Sequence, residues 1–254
     1  MPNWIKNKII VGSKIKLKEI EESYTKKEDG VTEFDFNKVI PMPKELEIEF
    51  SSKSDDGLVL FLALINPNIK YFGEEKDKID IFEFNKIKEL LEGKILIFKN
   101  YNIEKEKIEK LIKKYNNNFD ELIELGKIQI ANIKKFNALN WYDWSINNWG
   151  SKWNCYNTVF DYESNILTFE TPWDPAIPIF LNLTKQKNTR MALLYADEDI
   201  GVHTGYVLAN NGKIDYKGKF NDLSIDAYKL AFDLWNCGDD YIFDNIKNTY
   251  VLKN

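Results

Sequence analysis

Between Ile79 and Phe136 the chain contains no proline and almost no glycine, and Lys, Glu, Ile and Leu dominate. That composition favours helix. Glu106–Lys110 and Glu109–Lys113 are spaced i,i+4 with the acid first, the order that supports a helix. Ile108, Leu111, Ile112 and Tyr115 fall on one face of the same turn pattern. A further helix begins near Asp120 and carries Phe119, Leu122 and Ile123. Residues 79–136 are therefore predicted to be an all-helical insertion of two or three helices, with internal packing favoured over a face kept for a partner.

The flanks behave differently. Lys8–Val11 reads as a strand broken by Gly12-Ser13, and Ile15, Leu17, Ile20 and Tyr24 then recur at helical spacing. Phe34 to Pro43 reads as extended, because a proline pushes its predecessor, here Ile40 and Met42, out of the helical region. Ser51–Ser54 forms a cap region for a helix through Leu58, Phe61, Leu62 and Ile65, which ends at Asn66-Pro67-Asn68. Further along, residues 154–162 and 166–170 make a hairpin. Asp174 then caps a helix with Pro175 at its first position. A strand over 190–196, a hairpin turned by Asn210-Asn211-Gly212 and a closing helix over 223–235 complete the pattern.

With the insertion set aside, the order is strand, helix, strand, strand, helix, strand. That is the β-α-β-β-α-β arrangement of ferredoxin-like folds, so the expected class is α+β with helices on one face of the sheet. The expected division is a discontinuous domain of residues 1–78 and 137–254, interrupted by the helical insertion.

Composition narrows the chemistry. Lys+Arg number 35 against 40 Asp+Glu, for a net charge of −5, and Arg190 is the only arginine. A net negative chain with one arginine is poorly equipped for broad phosphate binding or for base readout, although a local basic patch is still allowed. No sequence-specific nucleic-acid contact is expected. Cys155 and Cys237 stand far apart and make no C-x-x-C pair, which fits buried thiols in a reducing compartment. Neither a signal-peptide run nor a membrane-length apolar stretch follows the start, so a cytoplasmic protein without a membrane is expected.

Several blocks carry a family likeness. They are Met1-Pro2-Asn3-Trp4 with Asn7, Phe34 to Pro43, Asn140 to Asn154, Phe169 to Pro175, and Tyr195-Ala196-Asp197-Glu198. Through these blocks the chain resembles the YubB ferredoxin-like family of bacteriophages and conjugative plasmids, over most of positions 1–65 and 140–215. The resemblance implies a ferredoxin-like fold and a mobile-element setting, and it implies no established reaction. Family members commonly carry Cys after the opening Asn-Trp, where this chain has Ile5. No thiol role is therefore available there.

Three features are candidates for function. The first is the block Trp141, Trp144, Trp149, Trp153, whose spacing also suits burial on helical turns. As a ligand pocket it would use Asn140, Trp144, Asn148, Lys152 and Trp153 for stacking and hydrogen bonding. The second packs Asp197, Glu198 and Asp199 close to His203, the only histidine. These carboxylates are weak candidates for a hard cation, and ordinary turn chemistry accounts for them as well. A lone histidine removes two-histidine zinc sites, and neither a P-loop nor G-x-G-x-x-G is present. The third is acidity: from Tyr195 to Asn245 ten acidic residues face four lysines. Asp233, Asp239, Asp240 and Asp244 are the candidate acidic surface for a partner with a basic groove.

The leading expectation is a non-catalytic phage or mobile-element accessory protein that inhibits a host protein. The expected target is a nucleic-acid-binding defence nuclease or ribonucleoprotein, in the manner of anti-CRISPR inhibitors, and no cofactor is expected. The first alternative is a small-ligand binder for a nucleotide signal, with the Trp/Asn block as its pocket. The second is a carboxylate- and metal-dependent enzyme.

Overall fold

The computed structural model describes residues 2–28, 30–48, 51–66, 81–91, 105–115 and 120–253. Along the chain run β1 (Trp4–Val11), α1 (Lys14–Tyr24), β2 (Thr25–Glu28), β3 (Val31–Phe34) and α2 (Phe36–Val39). Next come α3 (Ser52–Ile65), α4 (Ile81–Leu91), α5 (Lys105–Lys114), α6 (Asp120–Phe136) and α7 (Trp141–Trp149). The remainder comprises β4 (Tyr156–Asp161), β5 (Ile166–Pro172), α8 (Ile177–Gln186), β6 (Arg190–Asp197), β7 (Gly205–Asn210), β8 (Lys213–Lys219), α9 (Ile225–Trp235), β9 (Tyr241–Asp244) and β10 (Thr249–Leu252). They fall into two compact units, residues 1–41 with 145–254, and residues 42–144.

The first unit is built on an antiparallel sheet in the order β4-β5-β1-β6-β7-β8. Strand β1 lies between β5 and β6, with Asn7 opposite both Phe169 and Tyr195. Alternation explains β1: Ile5, Asn7, Ile9 and Val11 are buried on one face, and Lys6, Lys8 and Ile10 point to the other. The buried face meets α1 and α8 through Leu17, Ile20, Ile179, Phe180 and Leu183, all fully buried. This is the expected β-α-β-β-α-β order, with the β7–β8 hairpin added at the edge of β6. Asn211 and Gly212 turn that hairpin at φ 47° and 78°, the left-handed pair that a two-residue turn requires.

Helix α9 covers part of the opposite face. Lys8 pairs with Asp233 at 2.7 Å, and the Lys6 ammonium lies 4.6 Å from the centre of the Trp235 ring. Ala196, Ala231 and Leu234 form a small core there. Strands β9 and β10 make a separate two-stranded sheet, and their Tyr241 and Tyr250 pack on Tyr228 and Phe232 of α9.

Two local expectations are corrected. Phe34 to Pro43 is not wholly extended, since Phe36–Val39 closes a helical turn capped by Asp35, whose carboxylate accepts the Asn37 N–H at 3.0 Å. Ile40 is extended, as the following proline demands. Helix α8 starts at Ile177 rather than at Pro175, with Ala176 as its cap. The Ala176 N–H is taken by the Asn7 side chain at 3.1 Å, which fixes the chain before the first helical turn.

The second unit is helical among its described residues. Ser51 and Ser54 form a reciprocal capping box at the start of α3. Leu58, Val59, Leu60, Leu62 and Ile65 of α3 join Phe84, Ile87, Leu91, Leu111, Leu122, Ile130, Ile133 and Leu139 in one core. Ile108 and Leu111 are buried as their spacing predicts; Phe119 and the side chain of Ile112 lie outside the described residues. Asp56 accepts from both Lys114 and Tyr115 at 2.7 Å, tying α3 to α5. The compact unit that holds these helices runs from Met42 to Trp144 and so takes in α3 as well as the segment 79–136. The reason is α3, whose apolar surface wraps around the helix instead of forming one stripe. It packs most extensively against α6, where Gly57 and Gly126 let the two backbones touch.

Candidate functional site

Much of the Trp/Asn block holds the fold. In the first unit Asn154 donates to Asp35 at 2.8 Å and accepts the N–H groups of Phe36 at 2.9 Å and Cys155 at 3.0 Å. Trp149 is buried, stands edge-on to Phe36 and donates its indole N–H to the Ile40 carbonyl at 2.9 Å. The segments 34–40 and 149–155, distant in sequence, are therefore joined by their conspicuous residues. In the second unit Asn140 is buried, and its side-chain oxygen caps α7 by accepting from the N–H groups of Tyr142 at 3.0 Å and Asp143 at 3.2 Å. Trp144 is buried. Asn148 is half-buried on the last turn of α7.

Lys152 and Trp153 behave differently. The Lys152 ammonium lies 4.6 Å from the centre of the Trp153 ring and 5.4 Å from that of Trp173, and the two rings are 5.6 Å apart and tilted by 43°. The Lys152 carbonyl accepts the Ser145 hydroxyl at 2.9 Å, which anchors the cation's backbone. Trp173 is 42% exposed and sits at φ 64°, a left-handed conformation that bulky residues rarely adopt. Its N–H donates to the Asn3 carbonyl at 2.8 Å, and prolines stand at 172 and 175. Residue type and spacing place Trp173 only in the segment that opens a helix, not in a site. The available signal was a tryptophan between two prolines, where neither a ladder nor a helix can bury the ring.

Beside this clamp lies a polar group at the same end of the sheet. His203, itself at φ 47°, has Nε2 3.9 Å from Asp174 and Nδ1 4.0 Å from Asp197. Its ring stands 5.8 Å from that of Tyr195. Burial, with a smaller contribution from the Asp174 charge, raises the Tyr195 hydroxyl above the usual phenol range. The three carboxylates considered for a cation are engaged locally. Asp197 accepts the Asp199 N–H at 2.9 Å, Asp199 accepts from the Asn3 amide at 2.9 Å, and Glu198 accepts the Trp4 N–H at 3.1 Å. They pin the N-terminal segment to the end of β6. Among the described residues no three His, Cys, Asp or Glu side chains are grouped to hold a metal ion.

The four carboxylates of the acidic surface have separate duties. Asp233 pairs with Lys8. Asp244 accepts the backbone N–H groups of Ile246 at 2.8 Å and Lys247 at 3.1 Å, which holds its carboxyl below the usual range. Asp239 and Asp240 are exposed in the turn before β9.

The two thiols differ in a way that labelling reads directly. Cys155 is buried and donates to the Phe34 carbonyl at 2.9 Å, and burial pushes its thiol far above the ordinary value. Cys237 is half-buried, and it is raised by burial and then by Asp240. Since the thiolate is the reactive form, iodoacetamide on the native protein should modify Cys237 first, and Cys155 only in denaturant. Mass spectrometry of the labelled peptides checks this; equal rates in the native state would contradict the packing around Cys155.

Residues 148–238 match the family model described as the ferredoxin-like domain in Api92-like protein. The matched segment runs from the end of α7 through α9 and includes five strands of the sheet, which agrees with the expected fold class. The crystal structure of a protein api92 from Yersinia pseudotuberculosis is similar at 14% identity and a TM-score of 0.38, covering 87% of this chain and 99% of that one. No curated protein matches the chain. No helix among the described residues is long and apolar enough to cross a membrane.

Proposed function

We propose that this protein is a non-catalytic binding protein whose ligand is a small planar anion of the nucleotide class, held by Lys152, Trp153 and Trp173. The observation that carries this reading is Trp173, an exposed aromatic ring kept in a left-handed backbone conformation beside a second indole and a cation. A ring in that position contributes little to the core and offers a stacking face. Stacking on an aromatic ring stabilises a bound base by about 1–3 kcal/mol, and a neighbouring ammonium supplies the counter-charge for a phosphate. The motif resemblance to the YubB family supports a setting among accessory proteins of phages and plasmids, in the host cytoplasm, where a nucleotide signal is one such ligand.

The reading as an inhibitor that docks through acidic residues has less support. Two of its four carboxylates serve the fold through Lys8 and the turn at Asp244. Asp239 and Asp240 are its remaining footing, and charge reversal at both would test it against a captured host partner.

Calorimetric titration with AMP, GMP, CMP and UMP tests the ligand reading. Trp173→Gly is the informative variant, because glycine removes the ring and also relieves the left-handed backbone, a strain of about 1–2 kcal/mol. Affinity is expected to fall about tenfold or more, while stability to urea stays within about 1 kcal/mol of the parent as strain relief offsets lost ring packing. A variant that loses several kcal/mol of stability would make Trp173 a structural residue. The absence of binding by any of the four nucleotides would sink the nucleotide assignment.

A further inference from the structure

Asn211 and Gly212, which turn the β7–β8 hairpin, are the only Asn-Gly pair in the chain. An asparagine in this pair readily loses ammonia, because glycine has no side chain to shield the backbone nitrogen that attacks the amide. Asn211 is exposed, so water reaches it. The N–H of the second residue in a two-residue hairpin turn lies outside the ladder and is ordinarily left to solvent. Nothing in the hairpin itself therefore protects the pair.

Helix α8 supplies the protection. The Gly212 N–H donates to the Thr184 hydroxyl at 2.9 Å, and Thr184 is fully buried. That hydroxyl donates its own proton to the Leu181 carbonyl at 2.8 Å. Its hydrogen is thus committed to the helix, and its oxygen is left to accept from the turn. The stem of Lys185 lies against the same glycine, since a Cβ built on Gly212 would stand 3.0 Å from the Lys185 Cβ.

We infer that Asn211 is a site of spontaneous deamidation, and that the Thr184 hydroxyl holds the reaction back while α8 and the hairpin stay packed. In this reaction hydroxide takes the Gly212 N–H proton and the nitrogen attacks the Asn211 Cγ. The new N–C bond displaces the side-chain nitrogen as ammonia. Water then opens the succinimide at either carbonyl, leaving aspartate or isoaspartate, and nothing is oxidised or reduced. A hydrogen bond donated by that N–H favours the protonated nitrogen over the attacking anion, so Thr184 acts on the first step. Isoaspartate lengthens the backbone inside a turn that sets Asn210 opposite Lys213, and so works against the β7–β8 register. None of these residues belongs to the Lys152–Trp153–Trp173 clamp.

Peptide mapping by mass spectrometry after incubation in mildly alkaline buffer tests it, reading the amide-to-acid conversion at Asn211 over time. Thr184→Val keeps the branched shape and removes the acceptor. In the folded state it should react about fivefold faster than the parent or more, the factor that one ordinary hydrogen bond corresponds to. Thr184→Ser keeps the hydroxyl and should react at close to the parent's rate. The parent denatured in guanidinium should also react about fivefold faster or more than the folded parent, because the same bond is lost. Circular dichroism checks that both variants are folded. A folded Thr184→Val protein reacting at the parent's rate would overturn the inference. So would a folded Thr184→Ser protein as fast as the denatured parent, or a parent that reacts equally fast folded and denatured.

Discussion

Gly126→Ala is expected to destabilise the helical unit, although alanine is the better helix former. Helix propensity alone predicts a gain of about 1 kcal/mol. The crossing of α3 and α6 predicts the opposite. A Cβ at position 126 would come within 2.4 Å of the Gly57 carbonyl oxygen and 2.7 Å of the Phe61 Cβ. A Cβ at 57 would in turn meet the Leu122 carbonyl oxygen at 2.4 Å. These obstacles are backbone atoms and a Cβ, which no rotamer change can move, so the helices must part. Separation loosens the contacts of Leu58, Leu62, Leu122, Ile130 and Ile133 together. Overpacking of this kind costs about 1–3 kcal/mol and more where nothing can yield. A net loss of about 2 kcal/mol is expected for alanine, and loss of the packed unit for valine. Hydrogen exchange of the α3 and α6 amides reads the effect locally. A stabilised Gly126→Ala protein would show that the two backbones do not approach as described.

The second large effect is expected at Asn7, a polar side chain completely buried in the central strand. Its amide donates to the Ile5 carbonyl at 3.0 Å and to the Thr171 hydroxyl at 2.8 Å, and its oxygen accepts the Ala176 N–H at 3.1 Å. Thr171 passes the chain on to the Asp174 carbonyl at 2.7 Å. One residue thus links β1, the end of β5 and the cap of α8. Asn7→Leu keeps the branched outline of the side chain but strands the Ala176 donor and deprives Thr171 of a partner. Each orphaned buried group costs about 1–3 kcal/mol, so a loss of about 3 kcal/mol or more is expected in urea unfolding. Because Asp174 and Trp173 follow directly from this network, nucleotide affinity in the still-folded fraction should fall as well. A leucine variant within about 1 kcal/mol of the parent would show that the network contributes connectivity without stability.

Legibility in the sequence followed the range of the forces. Elements set by local periodicity and capping were readable: α1 begins and ends where its spacing says, Ser51 and Ser54 cap α3, and Asn211-Gly212 turns the β7–β8 hairpin. The start of α8 differs from the sequence expectation because Pro175 is a good first helical residue, and only Asn7, remote in sequence, shows where the Ala176 N–H goes. The tryptophan block was conspicuous, but residue type alone does not separate Trp149, a core residue, from Trp153, a half-buried one beside a cation.

The sequence by itself therefore determined the α+β class, the strand and helix order of the sheet unit and the presence of helices among the described residues of 81–136. Those features depend on side-chain alternation and chain stiffness within a few residues. Tertiary structure decided the rest: that α3 belongs to the helical unit, that α9 covers the second face of the sheet, and that Trp173 meets Trp153 and Lys152. It also decided that Tyr206, Tyr216 and Phe220 form one row. These depend on which backbones can approach and which buried polar groups find partners, quantities set by residues more than a hundred positions apart in the case of Asn7 and Ala176.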